Sequence, residues 1–264
     1  DLLGRDYFPF YRIFDADKKE DITDDFMELG HGTHVAGLVG LGNPQIGIIP
    51  VRVFPMEKTP ADGQACDEFP KSERCRIQGT SRQIDMIVKG LAFTIAHGAR
   101  VVNMSLGLPL DELPPTVRTK MIAKAREALA TKMQTIWRNV LMVAAAGNES
   151  RILDEVSKSV PATLEVPDLL SVGALKNKTT VANYSNTGAF VDVYVRGSDL
   201  TSTVPGAKRE AMSGTSMAAP LVAHLAAARL IVDPTFTASE LRGLILNTAD
   251  VKTLRVERSD EDDV

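Results

Sequence analysis

Residues 80–105 read TSRQIDMIVKGLAFTIAHGARVVNMS, and the change of period inside this stretch decides the fold. Ile84, Ile87, Val88, Leu91 and Ile95 recur at the three- and four-residue intervals that line one face of an α-helix. Thr80 stands where an N-cap hydroxyl is wanted, Gln83 follows as in a capping box, and Gly98 supplies a stop. The chain then changes to RVVNMS, a short β-branched run that predicts a strand. The same alternation extends outward in both directions. PVRVF at 50–54 predicts a strand ahead of the helix. A second helix is predicted beyond Pro114 and Pro115, with Ile122, Ala125, Leu129, Met133 and Ile136 on its buried side. NVLMVAAA (139–146), LLSVGA (169–174) and FVDVYV (190–195) predict further strands, and the run after Ser216 is apolar nearly all round, as a central helix would be. Strands alternating with helices imply an α/β fold, a parallel sheet sandwiched by helices in three layers. Residues 1–255 are expected to form one domain, and 256–264 an acidic, disordered tail.

With 44% hydrophobic and 24% charged residues, the 264-residue chain has the composition of a globular protein with a sizeable core. A net charge of −4 and the lack of a basic stripe with interleaved aromatics argue against a nucleic-acid partner. No apolar run reaches the roughly 20 residues of a membrane helix, and the opening DLLGRDYFPF lacks the layout of a secretion signal. Cys66 and Cys75 flank the polar stretch CDEFPKSERC. They are either free thiols or, the favoured reading, a bridge that closes a small loop, contributes at most about 3 kcal/mol and implies an oxidising compartment. A zinc site shared with His31 and His34 is disfavoured, because no C-x-x-C spacing is present.

GTSMAAP (214–220) places a serine hydroxyl among small residues at the start of the apolar run. A serine is a poor nucleophile without a base in hydrogen-bond reach. His224 lies eight positions along the same helix, about 12 Å away by helical rise. His97 ends a surface helix, where it suits the C-terminal dipole. In GHGTHVAGLVG, Gly30 and Gly32 bracket His31 and leave its imidazole uncrowded, while His34 points into the packing of the helix that follows. His31 is therefore the expected base and His34 the structural residue.

HGTHVAG (31–37), VVNMSLG (101–107), VAAAGN (143–148) and GTSMAAP occur in one order, and this order and its approximate spacing resemble the subtilisin-like serine proteases, the subtilase family. The resemblance runs from about residue 24 to about residue 250 and includes PATLEVPDLLSVGAL, ANYSNTG and STVPG. It implies a serine endopeptidase working through an acyl-enzyme on Ser216. His31 would act as general base and then protonate the leaving amine, and Asn148 with the Ser216 N–H would form the oxyanion hole. Ser105, Leu106 and Gly107 would form one wall of the pocket for the residue before the scissile bond, and Ala145, Ala146 and Gly147 the other, the peptide lying against them as an added strand. A polypeptide substrate, an N-terminal pro-segment, a monomeric state and an extracellular or periplasmic setting follow by the same resemblance. No cofactor or metal is implied for the chemistry; calcium is a family habit for which the sequence offers no site.

The family also places an aspartate ahead of the histidine, at the end of a buried strand reading D-[ST]-G, and no such motif is present here. Asp15, Asp17, Asp21, Asp24 and Asp25 lie in the polar run FDADKKEDITDD, with no strand expected to lead into them, and Asp62-Gly63 follows His31. That run fails as a calcium-binding loop, because Glu20 stands where glycine is needed and Phe26 where the bidentate glutamate belongs. It is either a solvated acidic loop or an attraction for basic substrate side chains. The expectation is that the aspartate lies upstream of residue 1, the alternatives being Asp1 or outright absence. Loss of this carboxylate costs serine proteases about 10⁴ in turnover, which would leave a weak enzyme or a binder of peptides or a pro-segment. Arg196 also stands where the family has proline, and Leu221 and His224 alter its usual AAPHVAG.

Overall fold

The computed structural model describes residues 13–15, 20–22, 30–53, 73–108, 110, 113–135, 139–154, 158–250 and 253–256. The elements run β1 (Ile13–Asp15), β2 (Glu20–Ile22), α1 (His31–Gly40), β3 (Val51–Arg52), α2 (Glu73–Ala96), β4 (Val101–Met104), α3 (Pro115–Thr135), β5 (Leu141–Ala145), β6 (Leu169–Leu175), β7 (Thr180–Val181), β8 (Val193–Arg196), β9 (Leu200–Val204), β10 (Lys208–Met212), α4 (Thr215–Val232), α5 (Ala238–Thr248) and β11 (Arg255–Val256). Asp1, Asp17, Asp24, Asp25, Asp62, Cys66 and the side chain of Cys75 lie outside the described residues, as does the chain beyond Val256.

β4, β5, β6 and β8 form the parallel centre, with Val101 opposite Leu141, Val143 opposite Leu170 and Val172 opposite Val193. All five residues of β5 are buried, as expected of a strand covered on both faces. Its side chains sort by period two. Met142 and Ala144 join Ile84, Ile87, Leu91, Ala125 and Leu129 in a core under α2 and α3. Leu141, Val143 and Ala145 join Ala218, Ala219, Val222, Ala223 and Leu241 in a second core under α4 and α5. The result is the expected three-layer α/β arrangement with helices on both faces of the sheet. The short alanines of α4 let the helix sit close to the strands, so its apolar character serves burial.

Two local expectations are corrected. α2 begins at Glu73, so Thr80 lies inside the helix, buried at 3% exposure, and caps nothing. The polar residues ahead of Thr80 continue the turn unhindered, and a side chain at Gly79 would meet no atom within 4 Å. Gly98 does end the helix, at a left-handed φ of 85°. A strand also leads into the acidic run. β1 pairs parallel with β3, Phe14 opposite Val51 and Asp15 opposite Arg52, and antiparallel with β2. The segment from 200 to 212, for which no element is predicted from sequence, forms the β9–β10 hairpin, against which α1 packs.

Candidate active site

Ser216 occupies the second position of α4, where the first backbone N–H groups have no helical acceptor and favour negative charge. Gly214 anchors the turn into this helix by donating its N–H to Gly197 O at 2.8 Å. The Ser216 carbonyl accepts the Ser105 hydroxyl at 2.8 Å, and Ser105 Oγ accepts from Asn103 Nδ2 at 2.9 Å. Ser105 is thus turned toward the backbone of the nucleophile candidate.

β5 runs into Gly147, whose φ of 104° turns the chain toward Asn148. Thr215, fully buried, donates its N–H and its hydroxyl to Asn148 Oδ1 at 2.8 and 2.9 Å and accepts the Gly147 N–H at 3.1 Å. With Oδ1 held by two donors, the amide face left to the cleft is Nδ2, the donor an oxyanion requires. Asn186, also fully buried, braces the loop that carries Asn148. Its Nδ2 donates to Ala146 O at 2.9 Å and to Glu149 Oε2 at 2.5 Å, and its Oδ1 accepts from Glu149 N at 3.2 Å and Arg151 N at 3.0 Å. Every hydrogen-bonding position of the Asn186 amide is used on this one loop.

A cleft of about 250 Å³ opens beside these groups and is lined by Ser216, Asn148, Gly147, Ala145, Leu106 and Gly107. Ala146, expected in the same wall as Ala145 and Gly147, is fully buried and does not line the cleft; its carbonyl accepts from Asn186 Nδ2. Glu149, Arg151, Lys158, Ser159 and Thr215 also line the cleft and were not foreseen. Lys158 lies 4.8 Å from the centre of the Phe190 ring. Thr215 and Glu149 stand beside motif residues, whereas Arg151, Lys158 and Ser159 lie in polar sequence outside the recognised motifs.

His31 is the first residue of α1, preceded by Gly30 at a left-handed φ of 60°, where a Cβ would strike the Pro205 ring. α1 is fastened along its length. Thr203 Oγ1 donates to Thr33 O at 3.1 Å, Ser202 Oγ donates to His34 O at 2.8 Å, and His224 Nδ1 donates to Val39 O at 2.8 Å. His34 is fully buried, its Nε2 lying 3.0 Å from both Leu200 O and Glu210 O. That nitrogen must carry a proton to satisfy two carbonyls, which makes His34 a clasp on the hairpin and leaves Nε2 no lone pair for a metal. His97 donates Nδ1 to Phe93 O at 2.8 Å, in keeping with a helix C-terminus. Among the described residues no three His, Cys, Asp or Glu side chains converge on a metal position.

The sequence model of the subtilase family matches residues 10–261. The chain is 31% identical over 219 residues to a subtilisin of Bacillus pumilus, a match covering 83% of this chain and 70% of that protein. It is equally similar to subtilisin E of Bacillus subtilis (strain 168), 31% over 219 residues, but there the match covers 83% of this chain and 50% of the relative, so the chain spans half that protein's length. Among solved structures, a cold adapted subtilisin-like serine proteinase superimposes with a TM-score of 0.61 at 24% identity, over 95% of this chain and 79% of the other. A lanthipeptide protease does so with a TM-score of 0.62 at 21% identity, over 90% and 73%. These two superpositions show a shared fold.

Proposed function

The chain belongs to the subtilase family, whose members are serine proteases, and from that premise we propose that it is an endopeptidase cleaving polypeptides through an acyl-enzyme on Ser216. Ser216 Oγ attacks the scissile carbonyl as His31 takes its proton. The carbonyl oxygen gains negative charge, which the Asn148 amide and the Ser216 N–H receive. His31 then protonates the departing amine, and water repeats the sequence to release the acid product. The observation that carries this reading is the hold of Thr215 on Asn148 Oδ1, which turns a neutral donor toward the cleft beside Ser216. Removing one such donor costs about 10² to 10³ in turnover in acyl-transfer enzymes.

One observation supports His31 as the partner of Ser216, and another supports Asp15 as the carboxylate behind it. Val39 lies eight residues after His31 and His224 eight after Ser216, so the bond between them matches equal distances from the two helix starts. Asp15 ends β1, a strand parallel to β3 and included in the family match, so it is our candidate for the carboxylate behind His31. The substrate is a polypeptide lying extended along the cleft. A pro-segment, a monomeric state and an extracellular or periplasmic setting belong to the same proposal.

Labelling with a fluorophosphonate probe tests the reading. Stoichiometric label lost in Ser216→Ala, and slowed at least about 10²-fold in His31→Ala and Asp15→Asn, is expected. A second reading, a peptide-binding relative that does not cut, is favoured by Ala16 standing where the D-[ST]-G pattern needs serine or threonine. No label, together with saturable binding of a peptide in the cleft, would establish that alternative.

A further inference from the structure

An α-helix satisfies the carbonyl of residue i with the N–H of residue i+4, and for Ser216 that partner is Pro220, which has no N–H. The proline ring also crowds the carbonyl four residues back and tilts it off the helix axis. At this carbonyl the Ser105 hydroxyl arrives at 2.8 Å from the residue following β4. Its direction is fixed, because Asn103 Nδ2 already donates to Ser105 Oγ, and the single hydroxyl proton is left to point at Ser216.

We infer that Ser105 is a positioning residue whose hydroxyl replaces the backbone N–H that Pro220 lacks, tying the main chain of Ser216 to β4. The inference rests on Ser216 being the nucleophile and goes beyond it. Leu106 and Gly107 follow Ser105 directly and line the same cleft, so one hydrogen bond couples the wall against which a peptide lies to the peptide unit that carries the attacking hydroxyl. The register between substrate and nucleophile is then set across the sheet edge, and helix α4 alone does not determine it.

The test is a double-mutant cycle on the full chain. Ser105→Ala is expected to lower the maximal rate of fluorophosphonate labelling about 10-fold, the rate equivalent of one lost hydrogen bond, with the half-saturating probe concentration changed less than about twofold. Ser105→Thr, which keeps the hydroxyl, retains most of the rate. Pro220→Ala restores an N–H to the helix, so in that background Ser105→Ala costs no more than about twofold. Ser105→Ala that raises the half-saturating concentration at unchanged maximal rate marks a pocket-wall residue and overturns the proposal, and so does an equal penalty in both backgrounds. Urea unfolding of the same four proteins measures the coupling without any chemistry. Additive destabilisation there overturns the pairing. Recovery of a misfolded Ser105→Ala by Pro220→Ala counts as coupling and supports it. A wild-type chain that takes no label, yet shows coupling on unfolding, fails the endopeptidase reading alone.

Discussion

Thr215 reads from sequence as a small residue that lets a helix begin, yet its hydroxyl is committed at both ends, accepting from Gly147 and donating to Asn148. Thr215→Val keeps the volume and removes both bonds. It is expected to lower the maximal labelling rate about 10-fold with little change in probe affinity, whereas Thr215→Ser stays close to wild type. Asn186 offers a sharper chemical test. Asn186→Asp sets a carboxylate against Glu149 Oε2 and Ala146 O, where an amide now donates. Two close carboxylates resist ionising together, so one stays protonated to higher pH. The ratio of variant to wild-type labelling rate should therefore rise as pH falls, a ratio that cancels the titration of the shared base. Glu149→Gln in the Asn186→Asp background should flatten it. Ser216 and His31 could be nominated from sequence because each sits among small residues that announce a tight turn, and Asn148 because VAAAGN resembles a subtilase motif. Thr215 and Asn186 could not, because their partners lie 67 and 37 residues away in the chain, where no local pattern records them.

At the scale of elements, the missed start of α2 and the missed β1 share a cause. Residues 73–79 are mostly polar and carry no helical period, and β1 has only Ile13 and Phe14 to mark it before Asp15. Buried strands such as β5 and β6 announce themselves by continuous apolar runs; a three-residue strand joined by backbone pairing to β2 and β3 does not. Close approach is equally silent in sequence. A Cβ on Gly37 would collide with the hydroxyls of Ser202 and Thr203. Gly37→Ala should accordingly cost about 1–3 kcal/mol in urea unfolding, although alanine is the better helix former. α5 carries a complete capping box, Thr237 Oγ1 accepting from Glu240 N at 3.2 Å while Glu240 Oε2 accepts from Thr237 N at 2.8 Å. The Thr237 backbone and then its side chain hold the Glu240 carboxyl below its usual range. A lowered folded value stabilises the protein above the unfolded value of 4.5, and this contribution disappears as pH falls through the lower folded value. Thr237→Ala should therefore lower Tm at neutral pH, and the gap to wild type should narrow on acidification below 4.5.

For the whole molecule, the three-layer arrangement was legible because β5 and β6 are apolar on both faces while α2 and α3 each show one apolar stripe. The docking of the N-terminal segment was not, because it depends on hydroxyl and imidazole donors bonding carbonyls of distant residues. α1 is held by Leu200, Ser202, Thr203, Glu210 and His224, at sequence separations of 166 to 185 residues. This has a consequence in time. A chain made from its N-terminus exposes α1 early, while the hairpin and helix that hold it are made late. Contacts between such distant segments pay a large closure entropy before they return any stabilisation. Pulsed hydrogen exchange during refolding should find the amides of α1 among the last to be protected, after β5 and β6. The residue expected to take the serine's proton would then come into position only in the closing steps of assembly, and a newly made chain would stay chemically silent for most of its folding.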